Sequence, residues 1–317
     1  MSQTAFVFPG QGSHYVGMGK DICDASPVAR DTFRQADEIL GFSLSSVCFE
    51  GAEETLRDTI NQQPALLTTS IALWRALEAA GARLDPAFVA GHSLGEYSAL
   101  VVAGALGFSD ALRLVRERGR VMKEAGLDHP GTMAAILGLD DAVLADVCRE
   151  ATARHGGLGV VCANYNSPGQ VVISGETGAI ETAIALAKER GARRAIPLAV
   201  SIASHSPLMK EAAAEFAKAV GAASVSMPKT PVVGNVTARP LTSTQDIRLE
   251  MVTQLTSPVR WTASVQYMVS QGVTAIVEVG PKDVLAGLIK RIDASVAASN
   301  VGDAAGVARL ASGGSDV

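Results

Sequence analysis

The tightest constraint in this chain is the stretch Phe88-Val89-Ala90-Gly91-His92-Ser93-Leu94-Gly95-Glu96-Tyr97. An apolar run stops at a serine set between two glycines, and a helical pattern begins at once. A strand that turns into a helix this sharply needs small neighbours. It leaves the serine hydroxyl at the apex, with the free N–H groups of the new helix behind it. This is the pattern of a nucleophile elbow, and it calls for an α/β core in which a buried strand feeds a helix. Standing alone a G-x-S-x-G match is weak, so the rest of the chain has to supply a base and a substrate.

At 317 residues the chain can build one large domain or two moderate ones. Its 27 basic and 32 acidic residues give a net charge of -5, with 4% aromatics and no long basic run, which argues against a nucleic-acid partner. The first residues lack a basic leader and no apolar run reaches membrane-spanning length, so a cytoplasmic monomer with no membrane contact is expected. Cys23, Cys48, Cys148 and Cys162 form no Cys-x-x-Cys pair and do not group with histidines at ligand spacing. Buried free thiols are expected, and no metal.

Around the elbow the chain reads as alternating α/β. A short apolar run over 4–8 breaks at Pro9-Gly10-Gln11-Gly12-Ser13, a loop suited either to bringing backbone N–H groups to a ligand or to an ordinary turn. Helices are predicted over 28–40 and 63–81, the second opened by Pro64, and another from an N-cap at Ser109 or Asp110. From Gly131 the order becomes βαββαβ up to Pro197, a ferredoxin-like α+β unit over 131–198 inserted in a hydrolase-like core. That core, with a central and mostly parallel sheet, takes residues 1–130 and resumes over 199–293. Residues 294–317, rich in Ala, Gly, Ser and Asp, read as a flexible tail.

The helix after Asp110 carries Ala111, Leu114, Val115 and Met122 at helical spacing. Arg118 falls within that apolar stripe, whereas Arg113, Arg116 and Arg120 lie on the opposite, solvated side. An inward guanidinium needs a counter-charge, from an anionic ligand or an internal Asp or Glu, unless its stem snorkels to water. Of the five histidines, His205 suits a general base best. It follows the serine in chain order, at a loop-to-helix junction, while the His92 ring should point away from the hydroxyl. No acid between elbow and histidine is well placed as a third member, and a backbone carbonyl could orient the imidazole instead.

These motifs together resemble the malonyl-CoA:acyl carrier protein transacylases of type II fatty acid synthesis. The likeness runs over 6–292 through Phe8-Pro9-Gly10-Gln11-Gly12-Ser13, Gly91-His92-Ser93-Leu94-Gly95-Glu96-Tyr97 and Arg118-Gly119-Arg120-Val121-Met122. It continues in the stretch from Ala163 to Gly175, then in Ser204-His205, Asn235-Val236 and Gln254-Leu255. It ends with Pro258-Val259-Arg260-Trp261. The resemblance implies ping-pong transfer of malonyl from malonyl-CoA to the phosphopantetheine thiol of an acyl carrier protein, through an ester on Ser93 with His205 as base. It implies an oxyanion hole from the backbone N–H groups of Gln11 and Leu94, Arg118 on the malonyl carboxylate, and the Gln254 carbonyl orienting His205. Asn166, Ser204 and His92 would lie near the acyl pocket, and no cofactor is implied.

Three stretches depart from the family's usual pattern: His14 stands where glutamine is common, Ile202-Ala203 precedes Ser204-His205, and Gly280-Pro281-Lys282-Asp283 replaces a Gly-Pro-Gly-Lys run. An Ala-Ser-His ending is also similar to methylmalonyl-type polyketide acyltransferases. A free-standing polyketide acyltransferase and an acyl-carrier-protein hydrolase therefore stand as alternatives, and the inward Arg118 argues against the hydrolase. The carrier is acidic in this family, so Lys188, Arg190, Arg193, Arg194, Lys290 and Arg291 are the predicted docking rim.

Overall fold

A computed structural model describes residues 3–313. Its strands are β1 (Gln3–Phe8), β2 (Phe88–Gly91), β3 (Gly131–Leu137), β4 (Val160–Ser167), β5 (Gln170–Glu176), β6 (Arg194–Pro197), β7 (Val232–Val233), β8 (Val273–Val279) and β9 (Ala297–Val301). They form two sheets. The first, in the order β7-β2-β1-β8-β9, is parallel throughout. Both faces of a parallel sheet are covered, which is why β1 is apolar at every position from Ala5 to Phe8. Phe6 and Phe8 pack into one core with helices Thr59–Ala79 and Phe108–Asp128. Ala5 and Val7 pack into the other, with Trp261–Ser270 and Val284–Ile292.

The second sheet, in the order β4-β5-β3-β6, is antiparallel. Helices Asp141–His155 and Thr177–Glu189 cover it, Leu144, Val147, Ile180 and Ala183 packing on Ile136, Val171 and Ile173. This is the strand order of a split βαβ unit. It is fastened to the core through β4: the Tyr165 N–H donates to the Val259 carbonyl at 2.9 Å and the Val259 N–H to that of Ala163 at 2.8 Å.

Several elements differ from the sequence expectations. Residues 294–313 are not a flexible tail: β9 completes the parallel sheet, and helix Ala304–Ala311 packs on Thr59–Ala79 with Val301 and Val307 buried. The small residues that suggested fraying suit an edge strand beneath a close-packed helix. Residues 314–317 of the expected tail, like residues 1–2, lie outside the described residues. The helix after Gly107 starts at Phe108 with Gly107 at its N-cap, so neither Ser109 nor Asp110 caps it as expected.

Pro64 does not open its helix. The helix begins at Thr59, capped by the Asp58 carboxylate, and Pro64 lies inside it. A proline there removes the hydrogen bond to the carbonyl four residues back, that of Ile60. Arg116 replaces the missing donor, its Nη1 donating to the Ile60 carbonyl at 2.9 Å and to Asn61 Oδ1 at 2.6 Å while its guanidinium lies 4.7 Å over the Phe42 ring. Arg116 is therefore a half-buried structural residue and not part of a solvated face. Arg116→Ala should cost about 1–3 kcal/mol by leaving that carbonyl unpaired. Adding Pro64→Ala, which restores the N–H, should recover part of the loss in urea denaturation.

Candidate active site

The elbow works by close approach of backbones. A Cβ on Gly95 would stand 2.0 Å from the Phe8 carbonyl oxygen, and one on Gly10 would stand 2.3 Å from the His92 carbonyl oxygen. Glycine at both positions lets the loop after β1 lie against the loop after β2, with Gly10 on His92 and Gly95 on Phe8 and Pro9. Ser93 pays for its apex position with φ 52°, a left-handed conformation that an L-residue adopts only under restraint. Asn235, just beyond β7, supplies that restraint. Its Oδ1 accepts the Ser93 N–H at 2.7 Å and its Nδ2 donates to the Gly91 carbonyl at 2.7 Å, so one amide bridges the turn.

The Ser93 Oγ lies 2.8 Å from His205 Nε2, and His205 Nδ1 lies 2.7 Å from the Gln254 carbonyl oxygen. A carbonyl only accepts, so the proton sits on Nδ1 and Nε2 presents a lone pair to the serine hydroxyl. No carboxylate takes part in this dyad. Burial, followed by the charge of Arg118, pushes the His205 pKa down to about 3, so the imidazole is neutral at ordinary pH. His205 also has a left-handed backbone, φ 59°.

Arg118 is fully buried. Nη1 donates to Gln63 Oε1 at 2.8 Å, and Nη2 donates to Gln254 Oε1 at 2.9 Å and to Ser93 Oγ at 3.1 Å. All three acceptors are neutral, Nε has no partner, and no carboxylate pairs with the guanidinium among the described residues. A buried cation bonded to Ser93 Oγ and lacking a direct counterion can accept an anion.

The side chain of Gln11 is pinned to the Thr59–Ala79 helix, donating to Gln62 Oε1 at 2.6 Å and to Thr59 Oγ1 at 3.1 Å. Gln62 Nε2 in turn bonds His14 Nδ1 at 2.7 Å. With the Ser93 N–H taken by Asn235, the N–H groups of Leu94 and Gln11 remain without a protein acceptor among the described residues. The His92 ring points away from the hydroxyl and meets Asn166 Oδ1 at 2.8 Å through Nε2, 5.7 Å from the Trp261 ring. Ser204 is half-buried beside His205 and makes no hydrogen bond to the dyad. Gln63, Asn235 and the side chain of Gln254 take roles with no sequence expectation behind them, although Asn235-Val236 and Gln254-Leu255 lie in family-like stretches.

A family model described as acyl transferase domain matches residues 5–316. The chain is 48% identical over 308 residues to the malonyl CoA-acyl carrier protein transacylase of Escherichia coli (strain K12), covering 97% of this chain and 98% of that protein. The chain belongs to the malonyl-CoA:acyl carrier protein transacylases of the acyltransferase family. The Bacillus subtilis (strain 168) transacylase is 49% identical over 293 residues, 92% of this chain and 91% of its own. Among solved structures, an acyl carrier protein S-malonyltransferase from Vibrio cholerae is similar with TM-score 0.94 and 45% identity over 98% of this chain and all of that one. A malonyl-transacylase, PlMCAT, solved in complex with the type II polyketide acyl carrier protein AntF, gives 0.95 and 44% over the same shares.

The transacylase site makes a pH prediction that needs no thioester. Protonated His205 cannot accept the serine proton, so Ser93 reactivity is lost only as pH falls through the depressed value. Sulfonylation by phenylmethylsulfonyl fluoride should persist well below pH 6.5, the ordinary histidine value. Arg118→Ala removes the second depressing influence and should move the acid limb upward; a wild-type limb at the ordinary value would contradict this assignment.

Proposed function

We propose that this chain transfers malonyl from malonyl-CoA to the phosphopantetheine thiol of an acyl carrier protein through a malonyl ester on Ser93. The unpaired, fully buried guanidinium of Arg118 beside Ser93 Oγ carries this reading. The malonyl carboxylate binds Arg118. His205 Nε2 takes the Ser93 proton as Oγ attacks the thioester carbonyl, and the Leu94 and Gln11 N–H groups hold the oxyanion. The C–S bond breaks, His205 returns the proton to the CoA sulfur, and CoA leaves as the thiol. The carrier thiol then gives its proton to His205, attacks the ester, and releases Ser93 with that proton back on Oγ. Asn166 and His92 border the acyl group, with Ser204 adjoining. Acetyl-CoA brings no carboxylate to Arg118 and forgoes that charged contact, so it is a poor substrate.

No helix among the described residues is long and apolar enough to cross a membrane. A cytoplasmic monomer belongs to the same proposal. The carrier would dock beside β5 and β6. Arg193, Arg194 and Arg291 line a cavity of about 580 Å³ together with Ser167 and Gln170, next along the hairpin from Asn166. Lys188 and Lys290 are exposed nearby in sequence, whereas Arg190 is engaged by Glu150 at 2.7 Å. Fatty acid synthesis is the pathway this supports. The likeness to a transacylase seen with a polyketide carrier favours a second reading, the same transfer to a polyketide carrier, and kinetics with the two carriers separate them.

Malonyl-CoA alone should give a Ser93 adduct of malonyl mass, and Arg118→Ala should lower that loading by about 10²-fold or more, the scale of losing a buried charged contact. Equal loading of acetyl would defeat the assignment. Arg194→Glu with Arg291→Glu should raise KM for the carrier and leave loading from malonyl-CoA unchanged, since like charges then oppose an acidic partner. A carrier KM unaffected by both reversals would place the docking surface elsewhere.

A further inference from the structure

Glu96 and Glu250 take no part in the steps above, yet both carboxyls are buried, with residue exposures of 0% and 4%. Glu96 stands in the first turn of helix Gly95–Val102 behind the elbow, Glu250 on helix Thr244–Thr253. Consecutive backbone donors hold them side by side. The Asn235 N–H donates to Glu96 Oε2 at 2.8 Å and the Val236 N–H to Glu250 Oε1 at 2.7 Å. The two carboxyls lie within reach of each other's charge, and burial raises both. Adjacent buried carboxylates do not both ionise, and burial together with the charge of Glu250 raises Glu96. The pair thus carries at most one negative charge.

No lysine or arginine pairs directly with either carboxyl among the described residues. The cation reached through hydrogen bonds is Arg118, one amide away. Gln254 Nε2 donates to Glu96 Oε1 at 3.0 Å and to the Ser93 carbonyl at 3.2 Å, while Gln254 Oε1 accepts from Arg118 Nη2 at 2.9 Å. The acidic pair fixes which way this amide faces. Gln254 can offer the guanidinium only its oxygen.

We propose that the Glu96–Glu250 pair is the resident counter-charge of Arg118, set one amide away so that the guanidinium stays charged in the empty enzyme and open to the carboxylate of the acyl group. A carboxylate in direct contact would occupy Arg118 and compete with the substrate; no counter-charge at all would leave a buried cation uncompensated. Both glutamates are positioning residues, acting through Gln254. The inference rests on Arg118 being the carboxylate clamp.

Two variants separate charge from packing. In Glu250→Gln the amide stands in for one carboxyl and Glu96 ionises, so the negative charge remains. In Glu96→Gln/Glu250→Gln it is gone. The infrared difference spectrum between wild type and Glu250→Gln should show loss of a protonated-carboxyl band. The ratio of KM for acetyl-CoA to KM for malonyl-CoA should be at least about threefold higher in the double variant than in Glu250→Gln, because the malonyl carboxylate becomes the sole counter-charge. A packing role would shift both substrates alike. No lost band, or equal ratios in the two variants, overturns the proposal, and if the double variant does not fold the infrared result decides. Malonyl loading that survives Arg118→Ala would instead remove the clamp reading while leaving the band in place.

Discussion

The site depends on one buried cation. A guanidinium removed from water is costly unless its donors find acceptors, and Arg118 finds three: two glutamine oxygens and the nucleophile itself. The consequences run in two directions. Outward, if Arg118 is the clamp proposed above, the charge selects an acyl group that carries its own carboxylate. Inward, it joins burial in holding His205 neutral. A carboxylate seated on Arg118 weakens that Coulomb push, and His205 becomes a stronger base when the right acyl group is present.

Two strained residues face each other across the dyad, Ser93 and His205, both with left-handed backbones. Each is held by an amide residue from late in the chain. Asn235 bridges the elbow, and Gln254 uses its carbonyl for His205 and its side chain for Arg118, Glu96 and the Ser93 carbonyl. The strain at the apex is therefore offset by tertiary contacts that need β7 paired beside β2. The parallel order β7-β2-β1-β8-β9 brings this about, because it sets β7, and Asn235 just after it, directly beside the end of β2.

What was legible in the sequence had a local signature. The elbow shows in a few residues because the glycines are needed by the turn itself, and Arg118 shows because helical spacing alone places it on an apolar stripe. The βαββαβ unit shows because its strands and helices differ in period. Gln63, Asn235 and the Gln254 side chain left no such mark: an amide suits surface or interior equally, and its partners are chosen by elements far apart in the chain. Pro64 misled because proline at a helix start is the common case, and the exception depends on Arg116 from another helix. The C-terminal segment misled because Ala, Gly and Ser serve a close-packed edge as well as a frayed end.

The same features bear on why the acyl group is passed to a thiol rather than to water. A base held down to about 3 is weak. Against it, a thiol near pKa 8.5 gives up its proton far more readily than water at about 15.7. Ser93 has a much less acidic hydroxyl than a thiol, but its Oγ is already held 2.8 Å from His205 Nε2, so its proton transfer starts from a fixed geometry. If Arg118 is the carboxylate clamp, the bound acyl group engages the guanidinium in both half-reactions, and it helps neither a thiol nor a water molecule. His205 regains only part of its basicity at that stage, since burial, the larger cause of its depression, is unchanged. The weakness of the base thus favours an acyl-enzyme that waits for a thiol.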